Sequence, residues 1–440
     1  MKTWVADFVK KYAESDVSRF HMPGHKGENF IGCEKFDITE IAGADVLSDA
    51  EGIIYESEKN AASLFKTAHT FFTAQGSTTA IYAMMALLND DKPLIIAARN
   101  VHKAFVHACA ILDYEVDWLM PKEFSSVLKC EISAETVENK ILSAHKKPAA
   151  VYLTSPDYLG NIQNIPDISK ICKKYRVPLF VDNAHGAYLG FLDETLHPIH
   201  LGATVCCDSA HKTLPVLTGG AYLHISKDAS EEYLKLAREK LALFSSTSPS
   251  YLILQSLDLC NKYLADGFKE KLAGCISNVN AVKSFIKDRG FCVSESEPLK
   301  ITIDAAASGY TGEELAEILR KNGAEAELYD KDFLVLMITP QNTVKDFEKL
   351  KAVFAGLKPR MKKPKREFII SLPQAKMSIR EAIFAKSETI DVGQAEGRIC
   401  ALPTVSCPPA VPIAVSGEEI TKETVELFEA YSIKKIKVVK

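Results

Sequence analysis

The 440-residue sequence lacks the features that mark secreted, membrane-spanning and nucleic-acid-binding proteins. Its first residues, MKTWVADFVKKYAESD, contain no apolar segment of the kind found in a signal peptide. No uninterrupted apolar run approaches the length needed to cross a bilayer. The formal net charge of -4 shows no basic excess for binding nucleic acid. We therefore expect a cytoplasmic protein that uses neither a membrane nor nucleic acid as a partner.

Several short motifs with known chemistry are also missing. The 11 cysteines include no C-x-x-C pair, which argues against a zinc site and favours reduced core thiols in a reducing compartment. We expect no metal. Neither G-x-G-x-x-G after a strand nor G-x-x-x-x-G-K-[ST] occurs, so the chain carries no fingerprint of a dinucleotide-binding protein or a P-loop protein.

Short apolar runs alternate with segments of helical length over the first half of the chain. The runs are continuous, which is typical of strands covered on both faces. Between two of them, IPDISKICKKYR has a proline near its start and basic residues in its last turn, as helices often do. This order predicts an α/β domain with a mostly parallel sheet. The clearest predicted strands are residues 93–99, 148–155, 177–184, 203–209 and 220–226.

The pattern changes after about residue 260. LKITIDA and FLVLMIT predict strands, and TGEELAEILRKNG between them predicts a capped helix, so a smaller α+β domain is expected. KPRMKKPKRE predicts a solvated basic linker. After it, the sequence predicts a helix, the proline-rich turn CPPAVP and a terminal helix. The expected division is an N-terminal arm at 1–30, a large domain at 31–260, the α+β domain at 261–357, the linker at 358–376 and a C-terminal domain at 377–440.

Polar motifs follow the predicted strands, where parallel α/β sheets bind their ligands. In AQGSTTA, Gly76 permits a tight turn, and Ser77 and Thr78 supply hydroxyl and N–H groups at the start of a helix. That arrangement suits a phosphate, although Ser and Thr also serve as ordinary helix caps. Asp182 ends the strand in VPLFVDNA, and it suits either a helix cap or a buried cation such as a pyridinium nitrogen.

Two further motifs contain candidate catalytic side chains. In RNVHKA, His102 is placed either to stack on a flat cofactor or to form an ordinary loop hydrogen bond. In CDSAHKTLPVLTGG, Lys212 follows a buried strand, and it either points into water or acts as a nucleophile that forms a Schiff base. Ser209 and His211 beside it are positioned to reach a phosphate. A phosphate turn, a histidine, an aspartate and a lysine in this order indicate one cofactor site.

This order resembles that of the fold-type-I enzymes dependent on pyridoxal 5'-phosphate (PLP). More narrowly, the chain resembles the Orn/Lys/Arg decarboxylase family in its short form, which lacks an N-terminal response-regulator-like domain. The resemblance covers nearly the whole chain, with specific matches around the lysine and near the C-terminus. The segments that carry it are FHMPGHKG, FDITEIAGADVL, RNVHKA, VDNAHGAY, DSAHKTLPVLTGG, STSPSYLILQSLD and EGRICALPTVSCPPAVPIAVSGE.

The resemblance implies roles for individual residues. Lys212 would bind PLP covalently, Asp182 would pair with the pyridinium nitrogen, and His102 would stack on the ring. His185 would lie close to the cofactor. Thr247 or Ser248 would reach the phosphate of a neighbouring subunit, which implies a homodimer or a larger homo-oligomer. The phosphate would be held by Gly76, Ser77, Thr78, Ser209 and His211.

The reaction implied is decarboxylation of arginine, lysine or ornithine to an amine of the polyamine pathway, with a slight preference for arginine by analogy with short family members. Holding the bond from Cα to the carboxylate perpendicular to the ring would select decarboxylation over transamination. Glu327 or Asp330 is the expected partner of the substrate's distal cation. The chain departs from the family in having Asn183 where an acid is common and Ala410 where glycine is common. These departures leave room for a divergent substrate preference.

Two alternatives stay open at this point. The cofactor motifs alone do not determine which bond breaks, so an aminotransferase or a carbon–carbon lyase on the same scaffold is possible. A catalytically silent homologue with a regulatory role is the other alternative. The retained lysine, aspartate and histidines argue against a silent protein.

Overall fold

A computed structural model describes residues 1–88, 91–121, 126–364, 373–405 and 410–440. The chain divides into two compact units, each built from two separate stretches of sequence. The first unit comprises Met1–Asp90 and Ile165–Glu270, and the second comprises Asp91–Asn164 and Lys271–Lys440. The five-part division expected from the sequence remains a prediction. Part of the basic linker and the first half of the CPPAVP turn lie outside the described residues.

Residues that commonly begin or end helices are found at the expected positions in α11 and α6. In α11, Thr311 accepts a hydrogen bond from the N–H of Glu314, whose side chain accepts one from the N–H of Thr311, forming a capping box. Helix α6 carries Lys173 and Lys174 in its last turn, as expected. The α-helices are α1 (Trp4–Ala13), α2 (Ile53–Phe65), α3 (Gly76–Met85), α4 (Lys103–Leu112), α5 (Ala134–Ser143), α6 (Ile165–Tyr175), α7 (Ala210–Thr213), α8 (Glu231–Phe244), α9 (Tyr251–Ala265), α10 (Phe268–Asp288), α11 (Gly312–Lys321), α12 (Val344–Ala355), α13 (Ile379–Phe384) and α14 (Lys422–Ala430).

The strands include each run singled out in the sequence, with ends trimmed by one or two residues. They are β1 (His69–Thr73), β2 (Leu94–Ala98), β3 (Glu115–Leu119), β4 (Ala150–Thr154), β5 (Leu179–Asp182), β6 (Val205–Asp208), β7 (Ala221–Ile225), β8 (Cys292–Ser294), β9 (Lys300–Asp304), β10 (Leu328–Tyr329), β11 (Phe333–Met337), β12 (Ser387–Asp391), β13 (Thr404–Val405), β14 (Pro412–Ala414) and β15 (Lys435–Val439).

The strands of the first unit bring three strand ends to one edge. Their order is β1-β7-β6-β5. Strands β5 and β6 are parallel, with Asp182 beside Cys207, whereas β7 is antiparallel to both β6 and β1. Strand β1 therefore has the same direction as β6, and β1, β5 and β6 all end at the same edge. The polar motifs that follow these strands are brought together there, as the sequence predicts.

The second unit contains parallel strands and a separate antiparallel sheet. Strand β2 pairs in parallel with both β3 and β4. A four-stranded antiparallel sheet, in the order β10-β11-β9-β8, forms the α+β region with helices α11 and α12. Near the C-terminus, β12 pairs with β15 and β13 with β14. The α/β class with a mostly parallel sheet and a smaller α+β region is confirmed.

The core consists of strands that are buried along their whole length. Every residue of β1, β2, β5, β6 and β7 is buried. In the second unit, an apolar cluster joins Phe428 and Val438 of the C-terminal region to Leu328 and Val335 of the antiparallel sheet. Among the described residues, no helix is long and apolar enough to span a bilayer.

Candidate cofactor site

The turn between β1 and α3 has the shape expected of a phosphate site. Gly76 adopts a φ of +77°, in the left-handed region that favours glycine, and its N–H donates to the carbonyl of Gly219 at 2.7 Å. No atom lies within 4 Å of the position that a Cβ would take there. The Ser209 hydroxyl donates to the Ser77 hydroxyl at 2.7 Å. Two hydroxyls from different strand ends therefore meet at the N-terminus of α3.

His211 follows Ser209 by two residues, in the short helix α7, and its Nδ1 lies 3.0 Å from the carbonyl oxygen of Gly220. Because a carbonyl only accepts hydrogen bonds, Nδ1 must carry the proton. Burial lowers the pKa of His211, and the positive charge of Lys212 lowers it further. In its neutral form His211 thus has an acceptor at Nε2, so it donates to a phosphate only when protonated.

Lys212 lies in the short helix α7 and is half-buried. Its Nζ is 3.1 Å from Nε2 of His185, a residue that is only 3% exposed. An ammonium group can only donate, so Nε2 of His185 accepts and is the unprotonated nitrogen of a neutral imidazole. The lysine amine therefore faces a base that can accept its proton.

Asp182 ends β5 and is 2% exposed. Its Oδ1 accepts from the N–H of Ala184 at 3.1 Å and from the thiol of Cys207 at 3.6 Å. Burial raises the pKa of the Asp182 carboxyl, and the positive charge of Lys212 partly opposes that shift. A carboxylate in this environment is best stabilised by a nearby cation, which a pyridinium N–H would supply.

A buried network lies next to Asp182 and was not predicted from the sequence. Both oxygens of Asp208 accept hydrogen bonds: Oδ2 from Nε2 of His197 at 2.9 Å and of His224 at 3.0 Å, and Oδ1 from Nδ2 of Asn183 at 2.7 Å. All four residues are fully buried. Burial acts against ionisation, but the two imidazoles hold the pKa of Asp208 well below its usual range.

The ligand atoms of His197, Asp208 and His224 lie close enough together to suggest a metal site. The hydrogen bonds indicate another arrangement. Nδ1 of His197 accepts from the N–H of Ile199 at 3.3 Å, so its proton is on Nε2, which donates to Asp208. A protonated nitrogen does not ligate a metal, and we interpret the cluster as a hydrogen-bond network.

Thr247 and Ser248 are exposed and follow the C-terminus of α8. The segment is tethered to the phosphate turn within the same chain, because the N–H of Ser246 donates to the side-chain oxygen of Gln75 at 3.0 Å. Gln75 is the residue directly before Gly76 at the start of α3. A role for Thr247 or Ser248 at the site of a neighbouring subunit remains a prediction.

The other predicted site residues lie in the second unit. His102 caps α4, with its Nδ1 accepting from the N–H of Ala104 at 3.1 Å. Glu327 is exposed, whereas Asp330 is half-buried in the turn between β10 and β11. Oδ1 of Asp330 accepts from the N–H groups of Asp332 and Phe333, and burial raises the pKa of Asp330 to about 6. Stacking by His102, and cation binding by Glu327 or Asp330, remain predictions.

The residues of the first unit fit PLP. The open space above Gly76, with the hydroxyls of Ser77 and Ser209, suits a phosphate. The amine of Lys212 and the buried carboxylate of Asp182 are close enough to interact electrostatically, as a covalently bound pyridinium cofactor requires.

Comparison with known proteins identifies the family to which the chain is similar. A family model described as Orn/Lys/Arg decarboxylase, major domain, matches residues 5–306, and a model of the C-terminal domain of that family matches residues 362–434. An arginine decarboxylase of Bacillus subtilis is 27% identical over 456 residues, which cover 95% of this chain and 91% of the relative. An arginine decarboxylase of Halalkalibacterium halodurans is 28% identical, and the alignment covers 94% of this chain and 90% of the relative.

Solved structures agree on the fold. The lysine decarboxylase LdcF of Francisella novicida matches with a TM-score of 0.83 at 18% identity, over 99% of this chain and 81% of that chain. The constitutive lysine decarboxylase of Escherichia coli matches with a TM-score of 0.79 at 18% identity, over 100% of this chain and 82% of that chain. At these identities the likeness confirms the fold class.

Proposed function

The chain belongs to the Orn/Lys/Arg decarboxylase family, and from that premise we propose that it removes the α-carboxylate of a basic amino acid, preferably arginine, with PLP as its cofactor. Membership makes the protein a PLP-dependent decarboxylase. The choice of substrate and the role of each residue are the proposal.

One observation carries the proposal: the Lys212 amine lies 3.1 Å from the buried imidazole of His185, within the electrostatic reach of the buried carboxylate of Asp182. A lysine without a role at this site would be expected to extend into solvent, away from a proton acceptor and a buried acid. The amine suits covalent attachment of PLP, the carboxylate suits the pyridinium nitrogen of its ring, and the imidazole suits proton transfer with the amine.

PLP supplies an aldehyde for attachment and a conjugated ring that accepts the electron pair of the bond being broken. Lys212 supplies the amine that joins this aldehyde. His185 accepts a proton from Nζ of Lys212 and returns it. Asp182 would hold the proton on the ring nitrogen of bound PLP through its buried charge. Ser77 and Ser209 orient the phosphate through their hydroxyls.

Delivery of a proton to the substrate's Cα, in place of the departing CO2, would fall to Lys212 or His185, because both ends of their 3.1 Å hydrogen bond can carry the proton. His102 is proposed to stack on the ring. A homodimer, in which Thr247 or Ser248 reaches the partner's phosphate, is part of the proposal.

The preference for arginine is supported by the two relatives named arginine decarboxylase, each of which aligns with at least 94% of this chain. The distal cation of the substrate is proposed to bind Glu327 or Asp330. Glu327 is the more exposed of the two, and Oδ1 of Asp330 is already used by two backbone N–H groups. Glu327→Gln is therefore expected to raise KM more than kcat.

The test is a panel of arginine, lysine and ornithine given to the purified, PLP-loaded protein. Released CO2 and keto acid are measured in parallel, and the amine is identified by mass spectrometry. The proposal predicts CO2 and the matching amine in equal amounts, with the highest kcat/KM for arginine. Keto acid without CO2 would instead indicate an aminotransferase. A preference for lysine or ornithine would overturn the choice of arginine.

A further inference from the structure

A groove in the second unit contains hydrogen-bond acceptors that no described residue satisfies. Its volume is about 410 Å³, many times the roughly 30 Å³ that a water molecule occupies in the liquid. We call it the acidic groove. It is lined by edge strand β3, the start of α13 and the segment after β14, and it includes the carboxylates of Asp113, Glu115, Asp117, Glu381 and Glu418.

The most deeply buried polar residues that line the acidic groove are Ser416 and Glu418, at 2% and 3% exposed, and we call them its floor. Glu418 Oε2 accepts from the guanidinium of Arg99 at 2.8 Å and from the N–H of Val415 at 2.7 Å. Oε1 of Glu418 and Oγ of Ser416 have no hydrogen-bond partner within the described part of the chain. A buried acceptor without a donor is costly, so this floor is suited to a ligand that donates hydrogen bonds.

The walls of the groove favour a cation with an aliphatic chain. The five lining carboxylates outnumber the lining basic groups, which are Lys92 and His145, and three bases outside the lining pair with them: Lys140 with Asp117, Lys146 with Glu115 and Arg99 with Glu418. The outer acids have partly exposed basic neighbours, such as Lys140 at 2.6 Å from Asp117, and such pairs are weak in water. The lining also includes apolar and aromatic side chains, which are Leu94, Tyr114, Val116, Trp118, Ile379 and Val415.

We propose that the acidic groove binds a linear amine of the class that this family produces, with its ammonium or guanidinium group on Glu418 and Ser416. The identity of the ligand rests on the proposed function, since decarboxylation of a basic amino acid yields such an amine. The amino acid substrate carries a carboxylate that the acidic walls repel. The groove therefore distinguishes the product from the substrate.

Trp118 provides a local readout. The sequence contains 2 tryptophans, Trp4 and Trp118, and Trp118 lines the groove. In a Trp4→Phe background, the PLP-loaded protein is first reduced with borohydride, which stops turnover, and is then titrated with agmatine and with 1,5-diaminopentane while Trp118 fluorescence is recorded. Arginine and lysine, which differ from these amines by the carboxylate, are the paired ligands. We expect a saturable response to the amines and an apparent Kd at least about tenfold higher for the amino acids.

Glu418→Gln keeps the shape of the side chain and removes its charge, so we expect the apparent Kd of the amine to rise about tenfold or more. Because Glu418 also pairs with buried Arg99, Ser416→Ala and Asp117→Asn provide variants that leave that pair intact, and each is expected to weaken amine binding. Glu317→Gln is the matched control and should change nothing, because Glu317 is exposed on α11, with its partner Lys321 at 2.9 Å.

The proposal is overturned if Trp118 does not respond to either amine, or if the response is the same in Glu418→Gln, Ser416→Ala and Asp117→Asn as in the parent. Equal binding of amine and amino acid would overturn the discrimination by charge. The titration does not depend on turnover. Release of CO2 without a Trp118 response to the amines would refute only the proposed amine site in the groove. A Trp118 response without release of CO2 would refute only the proposed decarboxylase activity.

Discussion

Asn183 donates a hydrogen bond from its side-chain amide to Asp208, with 2.7 Å between Nδ2 and Oδ1 and both side chains fully buried. This contact gives Asn183 a structural role in the buried network. An acid there would face Asp208 with a second negative charge, whereas the amide supplies a proton and no charge. Asp208 therefore accepts from Asn183, from the two imidazoles and, at 3.8 Å, from the thiol of Cys206.

Asn183→Asp is predicted to destabilise the protein in a pH-dependent manner. The new carboxylate is buried beside Asp208, so its pKa in the folded state is raised. A raised pKa means that stability is present at low pH and is lost as the pH rises through that value. We expect the free energy of unfolding to fall by about 3 kcal/mol at pH 8, and by less at pH 5.

Urea unfolding at the two pH values measures this difference. Asn183→Ala removes the hydrogen bond without adding charge and is the matched control. Because Asp208 has a pKa well below its usual range, it is ionised at both values, and the control should lose similar stability at each. An Asn183→Asp protein with the same stability loss at pH 5 and pH 8 would contradict the account.

Asp182→Asn is predicted to slow turnover by on the order of 100-fold while leaving PLP attached. Asparagine is the same size and can still accept from the N–H of Ala184, but it cannot balance a ring cation. Steady-state kinetics measures the loss, and the visible absorption band reports attachment. Exposed Asp228→Asn is the control. Near-normal turnover in Asp182→Asn would remove Asp182 from the mechanism.

Ser209→Ala is predicted to weaken PLP binding about tenfold, because a hydroxyl that orients the phosphate and bonds to Ser77 is lost. Spectroscopic titration of the cofactor-free protein with PLP gives the Kd. Ser63→Ala, exposed in α2, serves as the control. An unchanged Kd would show that the phosphate lies elsewhere.

Asp330→Asn separates a structural role from substrate binding. The pKa of Asp330 is raised to about 6 by burial, so wild-type stability from this group is lost as the pH rises towards and past 6. The variant keeps an acceptor for the turn and should be more stable than wild type at pH 8, by about 2 kcal/mol, and equal near pH 4.

Thermal or urea unfolding at the two pH values checks this expectation, with exposed Asp288→Asn as the control. The same variant also tests the substrate assignment. A large rise in KM would favour Asp330 as the partner of the distal cation, and an unchanged KM would leave Glu327.

Much of the fold and of the first-unit site was predictable, because continuous apolar runs and the residues that follow them are adjacent in sequence. Strands β1 and β3, HTFFT and EVDWL, were missed because their polar residues interrupt the apolar run. Strand β15 was missed because KIKVV follows a helix and pairs with the distant β12. These strands depend on tertiary packing that overrides local pattern.

The Asp208 network was not predictable in the same way. His197, Asp208 and His224 come from three different segments, and pairing of β6 with β7 is what brings two of them together. A buried histidine has no local sequence signature. The only available signal was a pair of histidines in otherwise apolar surroundings, which also suits ordinary core residues.

Locating the cofactor is the most direct test of the central claim. The PLP-loaded protein is reduced with borohydride, digested and analysed by peptide mass spectrometry. The account predicts one pyridoxyl modification, on the peptide that contains Lys212. Modification at a different lysine, or no modification in an active preparation, would contradict it.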